Sequence, residues 1–309
     1  MESIDYKLIE KNFNWLFEKS QKVIISPDVD GILCGLLMSN YLNWKIVGFY
    51  DGKSICYNHN FNINNCVFLD IEIYRERIKS CGHHILLYNF NDYPNDWDNF
   101  KNSINPNNLR YFDALHSFQR KYPLATIHFL LCCLKEILNI EIKILNTTIP
   151  LLYVDGTFKN LLNYPENCNE WIIFLNAKNP KSPIYPIFEI FSNQKLKDII
   201  HLLNDIFKKF DEIKINKKKG DKILIENLIN NPSSFSDYSP LFEVLSRYTG
   251  WEFIPDRWCL KQLTGKSFKK KIENQLTGKK FRKIIEKHFP LSWAITASKR
   301  MEYTIGDIK

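Results

Sequence analysis

The stretch Ser26-Pro27-Asp28-Val29-Asp30-Gly31, "SPDVDG", stands between the apolar run 22–25, "KVII", and the longer apolar run 32–42, "ILCGLLMSNYL". A short apolar run followed by helical spacing places both carboxylates at a strand-to-helix turn. Like charges one residue apart repel each other, and apolar surroundings raise the cost. Two arrangements relieve it. The carboxylates cap the following helix and accept its amides, or a cation lies between them.

Working outward, apolar strand candidates alternate with helical patterns through the first half. The strand candidates are 22–26, 45–49, 66–69, 84–88 and 150–154, with a further one at 171–175. The helix candidates are 5–19, 30–42, 72–80 and 121–138. This alternation predicts an α/β fold, a parallel sheet covered by helices on both faces. After about residue 190 helical spacing dominates, over 195–210, 221–230, 239–248 and 267–287. The reading is therefore a first domain over 1–190 and a smaller, mostly helical domain over 191–309. Pro186 and the Asn-rich stretch near 193 mark the boundary. A short repeat, 262–268 "QLTGKSF" and 275–281 "QLTGKKF", is too brief for a solenoid; it suggests two helix starts side by side, an arrangement suited to phosphate.

With 309 residues, 45% of them apolar and 25% charged, the chain has a globular balance and length for one large or two ordinary domains. No apolar run approaches the roughly 20 residues of a membrane span. The N-terminus reads as an amphipathic helix rather than a signal peptide. The eight cysteines form no CxxC pair, and several sit in apolar runs. The expectation is a cytoplasmic protein without structural zinc or disulfides, and without a membrane partner. Segment 261–287 holds ten Lys or Arg and two Glu, which accounts for the whole net charge of +8. A local basic surface on a neutral body suggests a polyanionic partner; the alternative is a solvated lysine-rich face.

In an open parallel sheet, ligands bind beyond the carboxyl ends of the strands. The first strand ends in Asp28 and Asp30, "CVFL" ends in Asp70, and "PLLYV" ends in Asp155; His83 and His84 open "HILLY". An oxygen-rich set with one or two imidazoles suits Mn²⁺ or Mg²⁺ better than zinc. Two such ions would generate a nucleophile and stabilise a phosphoryl displacement. Taken singly, Asp30 and Asp155 also read as helix caps, and the two histidines as polar surface. His59, His116, His128, His201 and His288 carry no signal beyond surface or core.

The order of these residues resembles the motifs of the DHH phosphoesterase superfamily, in particular its RecJ-like exonuclease branch. Pro27-Asp28-Val29-Asp30-Gly31 is similar to the first motif and Leu69-Asp70 to the second. Gly82-His83-His84 is similar to the third and Asp155 in "YVDGT" to the fourth. The segments "INPNN" and "KYPLATIHFLLCCL" lie between the last two, and the likeness spans about residues 20–175. It implies a two-metal Mn²⁺ (or Mg²⁺) site. Asp30, Asp70, His83 and Asp155 complete one position. Asp28 and Asp70 contribute to the other, and His84 contacts the scissile phosphate. Ile24 and Ser26 stand where the family carries a further ligand, Gly82 replaces the Asp of Asp-His-His, and no Gly-rich C-terminal turn is present. The basic region would then hold substrate through Lys266, Lys279, Lys299 and Arg300, with Phe268, Phe281 and Trp293 as base-stacking candidates or core. The implied activity is exonucleolytic hydrolysis of single-stranded DNA or RNA. The alternatives are a phosphodiesterase for short oligonucleotides or cyclic dinucleotides, and a non-catalytic nucleic-acid or protein-binding module.

Overall fold

A computed structural model describes residues 3–143, 148–193, 196–215, 218–219 and 221–308. Its centre is a seven-stranded sheet. The first six strands are β1 (Lys22–Ile25), β2 (Lys45–Tyr50), β3 (Ser54–Asn58), β4 (Val67–Leu69), β5 (Lys79–Cys81) and β6 (Ser103–Ile104). Their order is β6-β5-β4-β1-β2-β3, and the strand Leu263–Ser267 closes the β3 edge. The pairings from β6 through β2 are parallel; those made by β3 are antiparallel. The chain leaves β1 toward β2 on one side and returns to β4 on the other. The strand order thus reverses beside β1, where an open α/β sheet leaves a crevice at its carboxyl edge.

β1 alternates between two cores. Val23 and Ile25 join the larger, which runs from Ile4 to Tyr303 and includes the helices Val29–Leu42 and Thr126–Leu138. Ile24 joins a smaller core with Val47, Phe68, Ile73, Leu291 and Ile308. Strands, loops and one 3-10 turn supply that smaller core, so helices cover one face of the sheet rather than both.

Several expected elements take another form. Segment 150–154 is not a strand but the helix Ile149–Tyr153, with Pro150 in its first turn, where a missing N–H costs nothing. Segment 171–175 falls in the helix Pro165–Phe174, whose buried Cys168, Trp171 and Ile172 show the i, i+3, i+4 spacing that a five-residue window hides. Segment 72–80 is no helix. The Ile73 amide goes to Ser80 Oγ at 3.1 Å and the Tyr74 amide to Leu291 O at 2.8 Å, so tertiary partners displace the helical ones. Residues 84–88 lie outside any strand, and Ile85 and Leu87 carbonyls accept from Ile295 and Ala114 amides.

The C-terminal part is not mostly helical. Strands Lys269–Glu273, Arg300–Ile305 and Ser292–Ala297 form an antiparallel sheet. The helix Gly278–His288 packs against it, with Phe281 6.1 Å from Trp293. Period-two alternation is present here: Trp293 and Ile295 pair with Tyr303 and Met301, and all four are buried. The helix Tyr185–Asn193 runs across the expected 190/191 boundary, and residues 194–195 of the Asn-rich stretch lie outside the described residues. The repeat does not form two helix starts. Its first copy is mainly the edge strand Leu263–Ser267, and its second enters the helix Gly278–His288 through the cap Thr277.

Candidate metal centre

Three strand ends lie side by side. The Ser26 amide donates to Leu69 O, the Asp70 amide to Cys81 O and the Gly82 amide to Ile104 O, so the ladder continues one residue past each strand. This places the residues after β1, β4 and β5 on one rim. Gly31 is needed there, because a Cβ at this position would stand 2.2 Å from Ser26 O.

The two carboxylates of the opening motif divide the work. Asp28 caps its own helix, accepting from the Gly31 amide at 3.2 Å. Asp30, fully buried, caps a different helix: it accepts from the Thr126 and Ile127 amides at 2.7 and 2.9 Å. The helix Thr126–Leu138 begins after Ala125, which has no side-chain acceptor of its own, so Asp30 supplies it from 96 residues away.

Asp30, Asp70, His83 and Asp155 each offer a ligand atom, and these atoms all lie within 4.8 Å of one another. His83 follows β5 and stands among the three carboxylates. Its Nδ1 is 3.3 Å from Asp70 Oδ1 and 3.8 Å from Asp30 Oδ2; its Nε2 is 3.3 Å from Asp155 Oδ2. Its Nδ1 hydrogen-bonds to Thr126 Oγ1 at 2.8 Å, and that hydroxyl donates to Asp70 Oδ1 at 2.7 Å, so Thr126 links the imidazole to the carboxylate. Asp70 and Asp155 both sit at positive φ, 62° and 50°, a conformation uncommon outside glycine. Asp155 thus reaches the rim from a turn between helices, not from a strand end.

The electrostatics follow from this crowding. Burial, then the charges of Asp70 and Asp155, push the Asp28 carboxyl up to about 7. The same causes push Asp30 well above the usual carboxylate range. Burial would raise Asp70 also, but the hydrogen bond and charge of His83 hold it below its ordinary value. Three carboxylates, two of them buried, and one imidazole are a donor set that a divalent cation relieves. The residues therefore fit a metal ion.

Asp28 stands outside the four-residue group. Ser26 Oγ lies 2.7 Å from Asp28 Oδ1 and 2.6 Å from Asp70 Oδ2, joining the two carboxylates. A hydroxyl has one proton, so it donates to one carboxylate and can only accept from the other.

Glu72 escaped the sequence reading. It is fully buried, accepting from the His84 amide at 3.0 Å, from His84 Nδ1 at 2.9 Å and from Asn105 Nδ2. Burial opposes a charged imidazole, yet the Glu72 carboxylate raises His84 to about 9. Gly82 makes room, since a Cβ there would stand 2.5 Å from Glu72 Cδ. The sequence signal was a glycine beside two histidines together with an acidic residue two positions past a strand-end Asp. His83 and His84 stack with centroids 4.8 Å apart, and both line a cavity of about 530 Å³ that also reaches Asp28, Asp70 and Asp155.

The expected substrate-binding cations lie elsewhere. Lys266 Nζ donates to Asp307 O, Lys279 is in the first turn of its helix, Lys299 is in a strand turn, and Arg300 pairs with Glu302. None of the four lines this cavity. Phe281 and Trp293 are buried core residues, and half-buried Phe268 packs edge-on against Tyr50. All eight cysteines are free, and no helix among the described residues is long and apolar enough to cross a membrane. No protein-family model matches the chain, and no curated protein or solved structure matches it either.

Proposed function

We propose that the protein is a metal-dependent phosphodiesterase acting on single-stranded nucleic acid, with exonucleolytic cleavage as its mode. The observation that carries this reading is the convergence of Asp30, Asp70, His83 and Asp155 at the carboxyl rim of a parallel sheet, on a cavity shared with His84. The ion would be Mn²⁺ or Mg²⁺, given three carboxylates and one imidazole and no thiolate in the set. When bound, it supplies Lewis-acid polarisation of a phosphoryl oxygen. A second ion between Asp28 and Asp70 would have to displace the Ser26 hydroxyl.

The chain's own groups have separable tasks. Asp30 joins the centre to the N-terminus of the helix Thr126–Leu138. Asp155, the most exposed member, faces the cavity. His84, held by Glu72 through Nδ1, presents its other edge as a donor to an anionic oxygen. The small sheet adjoins this wall, because Trp293 Nε1 donates to Leu86 O and the Ile295 amide to Ile85 O. Its lysines favour a polymeric substrate. The modest size of the cavity, about 530 Å³, favours a second reading, a preference for short oligonucleotides or dinucleotides.

The test incubates end-labelled single-stranded DNA, RNA and a dinucleotide with the protein, with and without Mn²⁺, beside Asp155→Ala. Asp155 is the proper control because it caps no helix, whereas Asp30→Ala removes a cap as well. Shortened products from wild type with Mn²⁺, absent in the variant, support hydrolysis. Identical products from both sink it.

A further inference from the structure

We infer that Lys222 is an anion-binding residue of the metal centre, taking a phosphate oxygen of the phosphoester bound there; this rests on the phosphodiesterase reading for the identity of the anion. The segment that carries it crosses the loop after β1. The Ile223 amide donates to Pro27 O at 2.7 Å, and Lys222 faces Asp28 in an antiparallel bridge. Facing residues of an antiparallel pair project to the same side. The Lys222 side chain therefore leaves its backbone on the side of the Asp28 carboxylate, with a flexible four-carbon stem to reach over it. Buried Ile223, Ile225 and Leu228 fix the strap to the core.

Two cavities flank the centre. The one of about 530 Å³ lies on the histidine side, and a second of about 380 Å³ lies toward Tyr153 and Phe207. Among the described residues they share Asp28, Asp155 and Lys222 alone, so Lys222 stands on the partition between them. Among the described residues it is also the one Lys or Arg lining the larger of the two, against Asp28, Asp51, Asp70, Asp155 and Glu226. Lys222 is exposed, and among the described residues its side chain meets no ion-pair or hydrogen-bond partner. Lys53, by contrast, is paired with Glu226.

Charge balance gives this lysine a use. Three carboxylates around a divalent ion leave one net negative charge, and Asp28 stands beside them. A phosphodiester anion entering that field is repelled unless further cations meet it. His84 meets it from the sheet side and Lys222 from the strap side. A chain threaded from one cavity to the other would pass its phosphate beneath this ammonium.

The experiment titrates the full-length, Mn²⁺-loaded protein with inorganic phosphate and, separately, with a dinucleotide, in wild type, Lys222→Met, Lys222→Arg and Lys11→Ala, the last an exposed lysine of the helix Tyr6–Asn12 that lines neither cavity. Losing one charge-assisted contact should weaken both anions by about tenfold in Lys222→Met and about threefold or less in Lys222→Arg, with Lys11→Ala unchanged. Mn²⁺ affinity and melting temperature should stay as in wild type, which separates loss of an anion contact from loss of the centre. Equal anion affinity in wild type and Lys222→Met overturns the inference, as does wild type that binds Mn²⁺ but neither anion. Lys222-dependent binding of inorganic phosphate without cleavage of any nucleic acid would uphold the anion site and remove the hydrolytic reading. Cleavage indifferent to Lys222 would do the reverse.

Discussion

The molecule gathers charge in two places under opposite rules. At the rim of the main sheet, Asp30, Asp70, His83 and Asp155 converge in a largely buried space, each delivered by a different segment. On the small C-terminal sheet and its helix, lysines share an exposed surface. There His288 feels Lys271, Lys287 and Lys269 together, after the effect of burial. In the first region each group has a fixed partner and a fixed place. Asp30 holds two amides of a distant helix, and Glu72 holds His84. In the second, lysines pair at the surface with half-buried acidic partners, such as Lys270 with Glu302 and Lys280 with Glu273. Buried charge acts by position, and exposed charge acts by sum. Single substitutions should therefore be decisive in the first region and nearly silent in the second.

The sharpest break of that contrast is removal of a ligand. His83→Ala or Asp155→Ala should weaken Mn²⁺ binding by roughly a hundredfold or more, since a four-donor site cannot spare one; calorimetric titration reads this directly. Next is Glu72→Ala, which strips the acceptor from the His84 amide and from Asn105. It should cost on the order of 3 kcal/mol in urea unfolding. Adding Gly82→Asp places a carboxylate where Glu72 now reaches, and should recover part of the loss. Failure of any recovery would mean that Glu72 matters for more than its charge at that spot.

A smaller effect concerns pH. Asp28 and Asp30 have folded pKa values raised above the unfolded value of 3.8, so their contribution is complete below about pH 4 and is lost as pH rises, through about 7 for Asp28. His84, raised to about 9, contributes below its unfolded value of 6.5 and loses that contribution as pH climbs through 9. Asp70, held low, works the other way and is lost only in acid. Metal-free protein should thus melt at a lower temperature at pH 9 than at pH 6, and Mn²⁺ should narrow the gap. A metal-free melting temperature that rises over this range would contradict the assignment. The smallest effect belongs to the basic surface. Any single Lys→Ala among Lys269, Lys271 and Lys287 should change single-strand affinity little, while the triple variant should flatten the log–log salt dependence by about two units, at roughly 0.7 per lost phosphate contact.

The two regions also differ in how far the sequence revealed them. The strands β1, β2 and β4 and the helices at 29–42 and 126–138 follow from apolar runs with clear period, whereas β3 (Ser54–Asn58) was not foreseen; the metal-ligand candidates followed from polar residues at strand ends. Asp155 was found for the wrong reason, because its segment is helical and the turn at positive φ brings it in. Glu72 was overlooked because its function depends on the empty space at Gly82, a fact of three dimensions. The C-terminal sheet was missed because lysines masked its alternation. The heptads 262–268 and 275–281 differ at one residue, yet one is mainly strand and the other begins a helix. The first copy meets β3 along an open edge, and the second finds its helix cap in Thr277 with Phe281 pointing at Trp293. Neighbours, not local propensity, decide between them.

The most direct measurement is Mn²⁺ binding to the purified chain by calorimetry, repeated on Asp155→Ala and His83→Ala. Saturable binding in wild type that both substitutions weaken by roughly a hundredfold or more, with folding intact by circular dichroism, is the expected result. No binding by wild type, or binding unchanged in both variants, would contradict the claim that these four residues form a metal centre.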